Sequence, residues 1–197
     1  VVAEAEIALV SRDLGWPTRS LDAARATLDA HGDLANAAYA RYLEARRLLL
    51  IGRLDEAERL LAALDPPSLG ASLRAAYELV IAGIAMRRLR AREARDALAR
   101  ASRAASRAGI PALTAEIEQA SRALDMPAAR LIANGEERPL PLADVESLLA
   151  TDALVVDACR LLVRGSNTMV SLATRPVLFA LARALAEAWP GDVPRDV

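Results

Sequence analysis

The sequence predicts a mainly α-helical chain that ends in a small mixed segment. Apolar residues recur at three- and four-residue spacing over residues 1–125, which is the period of amphipathic helices. Ala alone fills 45 positions and aromatic residues make up only 3%, a composition that favours closely packed helices. After residue 125 apolar and polar residues alternate around Asn134–Gly135, a pair typical of hairpin turns. We therefore expect two domains, residues 1–125 and residues 126–197.

Turn-forming residues divide the first domain into short helices. The breaks fall at Gly15–Pro17, His31–Gly32, Gly52, Pro66–Pro67 and Gly109–Pro111. Each break is a helix boundary because glycine ends helices readily and proline cannot continue one. The segments between the breaks are short and amphipathic, so we expect them to pair as antiparallel helix hairpins.

Three segments of the first domain align with one another at offsets of 33 and 37 residues. They are LDAARATL from Leu21, LDEAERLL from Leu54 and AREARDAL from Ala91. The alignment places Ala24, Ala57 and Ala94 in one column, and Leu28, Leu61 and Leu98 in another. A small residue where two helices cross lets their backbones approach closely.

This period, near 34 residues, resembles that of the tetratricopeptide repeat family. The segment GRLDEAERLLAALDPP carries the resemblance best, with Gly52 at the turn, Ala57 at the crossing point and Pro66 ending the second helix. The other two units have Arg19 and Leu89 in place of the glycine. The resemblance implies a tetratricopeptide-like array that binds a protein or peptide partner on its concave face. A purely structural helical bundle is the alternative.

Two sets of residues in the first domain are candidates for binding. The aromatic residues Trp16, Tyr39, Tyr42 and Tyr77 would line a groove or anchor the core, and we favour the core. Arg88, Arg92 and Arg95 lie in the only dense basic stretch, and helical spacing places them near one face. Such a basic face would hold an anion or a nucleic-acid backbone, but a solvated face with local ion pairs is the interpretation we favour.

The second domain should contain two antiparallel sheets and two helices. The segment ARLIANGEERPLPL predicts a first hairpin, and a short helix is expected over Leu142–Ala150. Strands are then predicted at Leu154–Val156, Arg160–Arg164 and Thr168–Leu172, with a turn at Gly165–Asn167. An apolar helix is then predicted over Arg175–Trp189 from the spacing of its apolar residues. Pro176 is acceptable in the first turn of this helix, and Pro190–Gly191 ends it.

This order of elements resembles the opening of an OmpR/PhoB-type winged-helix DNA-binding domain. Residues 154–197 carry the likeness, with matches at Asp157, Gly165, Leu172, Ala173, Pro190, Gly191 and Arg195. Two features depart from the family pattern: Pro176 stands where the family has an acidic residue, and the helix is about one turn longer. The second domain is therefore interpreted as an incomplete winged helix.

The two resemblances together imply a fragment of a bacterial transcriptional regulator. The winged-helix family binds DNA through its third helix and its wing, and neither element lies within these residues. DNA contacts are therefore expected from elements missing from this chain, and Arg195 is the one candidate phosphate contact, with a structural ion pair as its alternative. Two other hypotheses stay open: a scaffold or adaptor without a DNA role, and a homodimer formed through the helical array.

Several other classes of function are disfavoured by composition. His31 and Cys159 are the only residues of their types, so no disulfide pair, multi-cysteine zinc site or nucleophile with a partner base is expected. His31 is expected in solvent at a helix end, and Cys159 in a packed or half-exposed strand. We expect no enzymatic activity, no cofactor and no metal.

Charge and hydropathy place further limits on partners and location. Residues 1–125 carry a formal charge of +1 and residues 126–197 carry −2, so bulk charge marks neither domain as a polyanion binder. The longest apolar run, Leu79–Met86, is too short to span a bilayer, and no signal segment opens the chain. We therefore expect no membrane partner and a cytoplasmic location.

Overall fold

The computed structural model describes residues 1–16, 18–166 and 168–193. The chain forms two compact units, Val1–Leu124 and Asp125–Val197. The described part of the first unit consists of helices and their connections, and the second unit combines helices with antiparallel strands. The expected fold class, mainly helical with small antiparallel sheets, is confirmed.

The first unit contains helices α1 to α7 in chain order. Their bounds are Val2–Val10, Thr18–Ala30, Leu34–Leu50, Leu54–Ala62, Ala71–Arg87, Ala91–Ala108 and Pro111–Asp125. Each break predicted from glycine or proline separates two of these helices. One detail differs, because α4 ends at Ala62 and Pro66 instead begins a single 3₁₀ turn, Pro66–Ser68.

Four helix ends share one backbone geometry. A left-handed residue follows the helix by two positions in each: Arg12, Gly32, Gly52 and Leu89, with φ between 59° and 81°. The N–H of the next residue then donates to a carbonyl five positions back, as from Arg53 to Leu48 and from Arg90 to Ala85, both at 2.9 Å. This arrangement terminates a helix and reverses the chain within a few residues. It joins α3 to α4 and α5 to α6 as antiparallel neighbours.

Small side chains line the interfaces within these helix pairs. Ala57 on α4 and Ala94 on α6 are fully buried, and their column partners Leu61 and Leu98 are buried as well. The buried stripe of α6 consists of Ala91, Ala94, Ala97, Leu98, Ala101, Ala104 and Ala105. In the first of the three aligned units the same positions, Ala24 and Leu28, are only half-buried. The predicted columns thus coincide with helix contacts most fully at α4 and α6.

The core of the first unit lies around α3. Tyr42 and Leu43 are buried at its centre, and Trp16, Tyr39 and Tyr77 pack against the same cluster. The interpretation of the aromatic residues as core anchors is therefore confirmed. Glu78 is the one buried charged side chain among the described residues, at 3% exposure. The Nε of Arg100 donates to its carboxylate at 2.9 Å and so neutralises it across the α5–α6 pair.

The second unit begins with the predicted hairpin. Strands β1 (Pro127–Ala133) and β2 (Glu136–Pro141) pair antiparallel, and Asn134 and Gly135 both have positive φ at the turn. Positive φ at both central residues is the geometry for which the Asn-Gly pair is favoured. Helix α8 (Leu142–Leu149) follows and packs on both strands.

A three-stranded antiparallel sheet and a helix complete the described part of this unit. The strands are β3 (Val155–Asp157), β4 (Leu162–Gly165) and β5 (Thr168–Ser171), in that spatial order, and the helix is α9 (Pro176–Ala188). Their bounds agree with the predicted elements to within two residues. Helix α9 lies against β1 and β3, so both sheets contribute to one side of it.

Cys159 occupies a different position from the one expected. It is exposed in the turn between β3 and β4, not packed in a strand. The cause is the Asp157 side chain, whose Oδ1 accepts hydrogen bonds from the N–H groups of Cys159 (2.9 Å) and Arg160 (3.0 Å). These bonds hold the backbone around Cys159 in a turn, so β4 begins only at Leu162.

Candidate interaction surfaces

The basic face predicted from Arg88, Arg92 and Arg95 does not form as one helical surface. Helix α5 ends at Arg87 and α6 begins at Ala91, so Arg88 belongs to the turn between them. The glycine and proline signals missed this break because Leu89 adopts the left-handed conformation there, with φ of 59°. Only the alignment of the repeated segments, which places Leu89 opposite Gly52, pointed to this turn. The prediction is corrected: only Arg92 and Arg95 lie together on α6, on its exposed side.

Arg88 instead links two helix pairs through acidic partners. Its Nη2 contacts Asp55 and donates to Glu58 Oε2 at 2.9 Å, both on α4. The Arg88 guanidinium lowers the pKa of Asp55 by hydrogen bonding and by its charge. Arg88 therefore serves as an ion bridge from the α5–α6 turn to α4.

The exposed side of α6 is nevertheless basic. Arg92, Arg95, Arg103 and Arg107 all lie on it, opposite the alanine-rich stripe that packs on α5. Asp96 is the one acidic residue on the same side, since Glu93 is turned toward Arg90 and pairs with it at 3.3 Å. We call Arg95, Arg103 and Arg107 the α6 arginine row.

A polar network lies on α3 beside the aromatic anchors. Arg46 donates from Nη1 to the Tyr42 hydroxyl and from Nη2 to Glu116 of α7, both at 3.1 Å. The ring of Tyr39 stacks on that of Tyr42, with 5.8 Å between the centroids. Burial raises the pKa of the Tyr39 hydroxyl, and its hydrogen bond with Glu6 raises it further. These contacts connect α1, α3 and α7 through partly exposed side chains.

A second polar group fixes the connection that follows α1. Arg47 donates from Nε to the Leu14 carbonyl at 3.1 Å and lies 3.5 Å from the Glu44 carboxylate. Burial raises the pKa of Glu44, while the Arg47 charge opposes that shift. The pair is mostly shielded from solvent and holds residues 11–16 against α3.

The most exposed apolar surface of the second unit lies on α9. It consists of Val177, Leu178, Leu181 and Leu185, whose exposed fractions run from 48% to 80%, and it is continued by Trp189 at 68%. No residue of α9 is buried, although the helix is apolar throughout most of its length. We call these five side chains the α9 apolar face. An apolar surface of this kind marks an interaction site.

Two further residues considered in the sequence are Arg195 and His31. Arg195 lies outside the described residues. His31 is exposed at the end of α2, where its Nδ1 lies 2.8 Å from the Thr27 carbonyl oxygen. Within the described part of the chain, no group of His, Cys, Asp and Glu residues is placed to hold a metal ion. No helix described there combines the length and apolar character needed to cross a bilayer.

Comparison of the chain with protein-family models, with curated proteins and with solved structures finds no significant match.

Proposed function

We propose that this chain belongs to a bacterial transcriptional regulator. In this proposal, residues 126–197 are the N-terminal scaffold of a winged-helix DNA-binding domain, and residues 1–125 form a tetratricopeptide-like array that binds a protein or peptide. The observation that carries the proposal is the α9 apolar face, placed directly after a three-stranded antiparallel sheet. The chain is assigned no catalytic role and no cofactor.

The α9 apolar face needs a covering element. Fully burying a leucine side chain is worth about 1.5–3 kcal/mol, so three half-exposed leucines and an exposed valine represent a large unused gain. In an OmpR/PhoB-type domain the apolar helix is followed by the helix-turn-helix pair. We infer that this pair covers the face and is thereby oriented for the DNA major groove.

Two matched positions have physical roles that support the resemblance. Asp157 accepts two backbone hydrogen bonds and so shapes the turn between β3 and β4. At Gly165 an added Cβ would lie 3.2 Å from Leu154 Cδ1, closer than most side chains tolerate. Asp157 thus shapes this sheet directly, and a side chain at position 165 would displace the exposed end of Leu154 by a few tenths of an ångström.

The repeated helix pairs support the role proposed for the array. Two of them, α3–α4 and α5–α6, have the same turn geometry and the same buried alanine and leucine columns, 37 residues apart. Arrays of such pairs present one continuous surface to a partner. On α3, the partly exposed Arg46 is the side chain we assign to that surface.

The test is sequence-specific DNA binding by the full-length regulator. It should shift a duplex that carries its own promoter region, and the shift should weaken as salt rises because phosphate contacts release counterions. The present chain should show no preference for that duplex over a scrambled one, since the proposed reading helix lies outside it. A full-length protein without any sequence preference would contradict the proposal and favour the scaffold hypothesis.

A further inference from the structure

We propose that the α6 arginine row is a sequence-independent binding site for the phosphate backbone of nucleic acid. The site deepens the proposed function and rests on it for its biological setting, because it gives the helical array its own contribution to DNA affinity. It differs from the Arg88-containing face considered from sequence, since Arg88 and Arg92 are not part of the row and Arg103 and Arg107 are.

The three arginines of the row lie on one exposed side of α6. Arg95, Arg103 and Arg107 follow one another by eight and four residues, which places them within about 120° of arc on a helix. They span about 18 Å along the axis at 1.5 Å per residue. The opposite side of α6 is buried, which holds the helix in place.

The positive charge of the row is not neutralised internally. Residues 87–107 contain eight arginines and two acidic residues, whereas the chain as a whole has a net charge of −1. Arg88, Arg90 and Arg100 each pair with a carboxylate. Within residues 1–16 and 18–124 of the first unit, none of the ion pairs that the structure shows involves Arg95, Arg103 or Arg107.

The surroundings of the row favour a nucleic acid over an acidic protein. Between the arginines the exposed positions are filled by Asp96, Ala99, Ser102 and Ser106, so no large apolar side chain is present to anchor a protein partner. The hot-spot residues of protein interfaces are enriched in Trp and Tyr as well as Arg, and neither aromatic type occupies these exposed positions. A phosphate backbone requires only charge, and about five phosphates of one strand fit within 18 Å at 3.4 Å each.

The test measures the salt dependence of DNA binding by the present chain. Fluorescence anisotropy with a labelled random-sequence duplex should give a plot of log K against log salt with a slope of about −2.7 for three phosphate contacts. That slope corresponds to about a 40-fold loss of affinity between 50 and 200 mM salt. Arg103→Gln alone should reduce the slope by about one, and the triple variant Arg95→Gln/Arg103→Gln/Arg107→Gln should abolish salt-dependent binding.

A matched control separates the row from bulk charge. The variant Arg19→Gln/Arg59→Gln/Arg122→Gln makes the same change in net charge at exposed positions on α2, α4 and α7, and it should keep the natural slope. An unchanged slope in the row variant, or an equal loss in the control, would overturn the proposal. Competition by polyglutamate as effective as that by DNA would also overturn it in favour of an acidic protein partner. The readout is distinct from that of the proposed function, which depends on sequence preference in the full-length protein.

Discussion

At the residue scale, a left-handed residue closes the turn after four helices of the first unit. Gly52 and Leu89 stand at equivalent turns, with φ of 81° and 59°. Glycine adopts this conformation without steric cost, whereas a residue with a Cβ loses about 1 kcal/mol. The α5–α6 turn persists because hydrogen bonds from Leu89 to Met86 and from Arg90 to Ala85 close it.

A substitution at Gly52 should measure the free-energy cost of a Cβ in this left-handed conformation. Gly52→Ala is expected to lower the free energy of unfolding by about 1 kcal/mol, since an added Cβ meets no atom within 4 Å and only the backbone is strained. Gly15→Ala is the control, because Gly15 lacks a positive φ and should tolerate alanine with a gain of about 0.5 kcal/mol at most. Urea denaturation measures both, and equal effects would show that the Gly52 turn imposes no special conformation.

The ion bridge of Arg88 predicts that the pKa of Asp55 changes when Arg88 is replaced. Arg88→Gln should raise the pKa of Asp55 toward the ordinary aspartate value, because the guanidinium that lowers it is lost. Carboxyl NMR titration measures the change, and Arg53→Gln, which removes a partner of Glu56 instead, is the control.

The sign of the associated pH effect follows from the lowered pKa. The contribution of the Arg88–Asp55 pair to stability is present above the ordinary pKa of aspartate. It fades as the pH falls from that value through the lower pKa of Asp55. An Asp55 titration identical in the natural chain and in Arg88→Gln would show that the contact is absent in solution.

At the scale of elements, sequence patterns predicted helices and strands well because periodicity and turn chemistry act locally. Asn134–Gly135 marked the first hairpin, and Pro176 marked the start of α9. The turn at Leu89 has no local signal, because leucine does not favour positive φ, and only its alignment with Gly52 pointed to it. The pairing of Arg88 with α4 depends on contacts between residues 33 positions apart, which periodicity does not report.

The packing of the α3–α4 pair should depend on a small residue at Ala57. Ala57→Leu is expected to destabilise the chain by about 2 kcal/mol, because a fully buried site has no room for three more carbons. Ala62→Leu, at an exposed position of the same helix, should change stability by less than about 0.5 kcal/mol. Thermal unfolding followed by circular dichroism distinguishes them, and similar melting temperatures would exclude close packing at Ala57.

At the scale of the whole molecule, two units carry different kinds of surface. The first unit concentrates positive charge on α6, and the second leaves the α9 apolar face in solvent. Sequence alone indicated α9 as an apolar helix, but it did not show which side of the helix packs against the sheets. That side is set by contacts with β1 and β3, which come from separate sheets.

The proposed role of the α9 apolar face is to support the helices that read DNA. It is tested most directly by Leu178→Ser/Leu181→Ser/Leu185→Ser in the full-length regulator, compared with Arg183→Gln on the opposite side of α9, in a gel-shift titration against the promoter duplex. We expect the triple variant to lose sequence-specific binding by at least about tenfold, while Arg183→Gln binds as the natural protein does. Undiminished specific binding by the triple variant would contradict it.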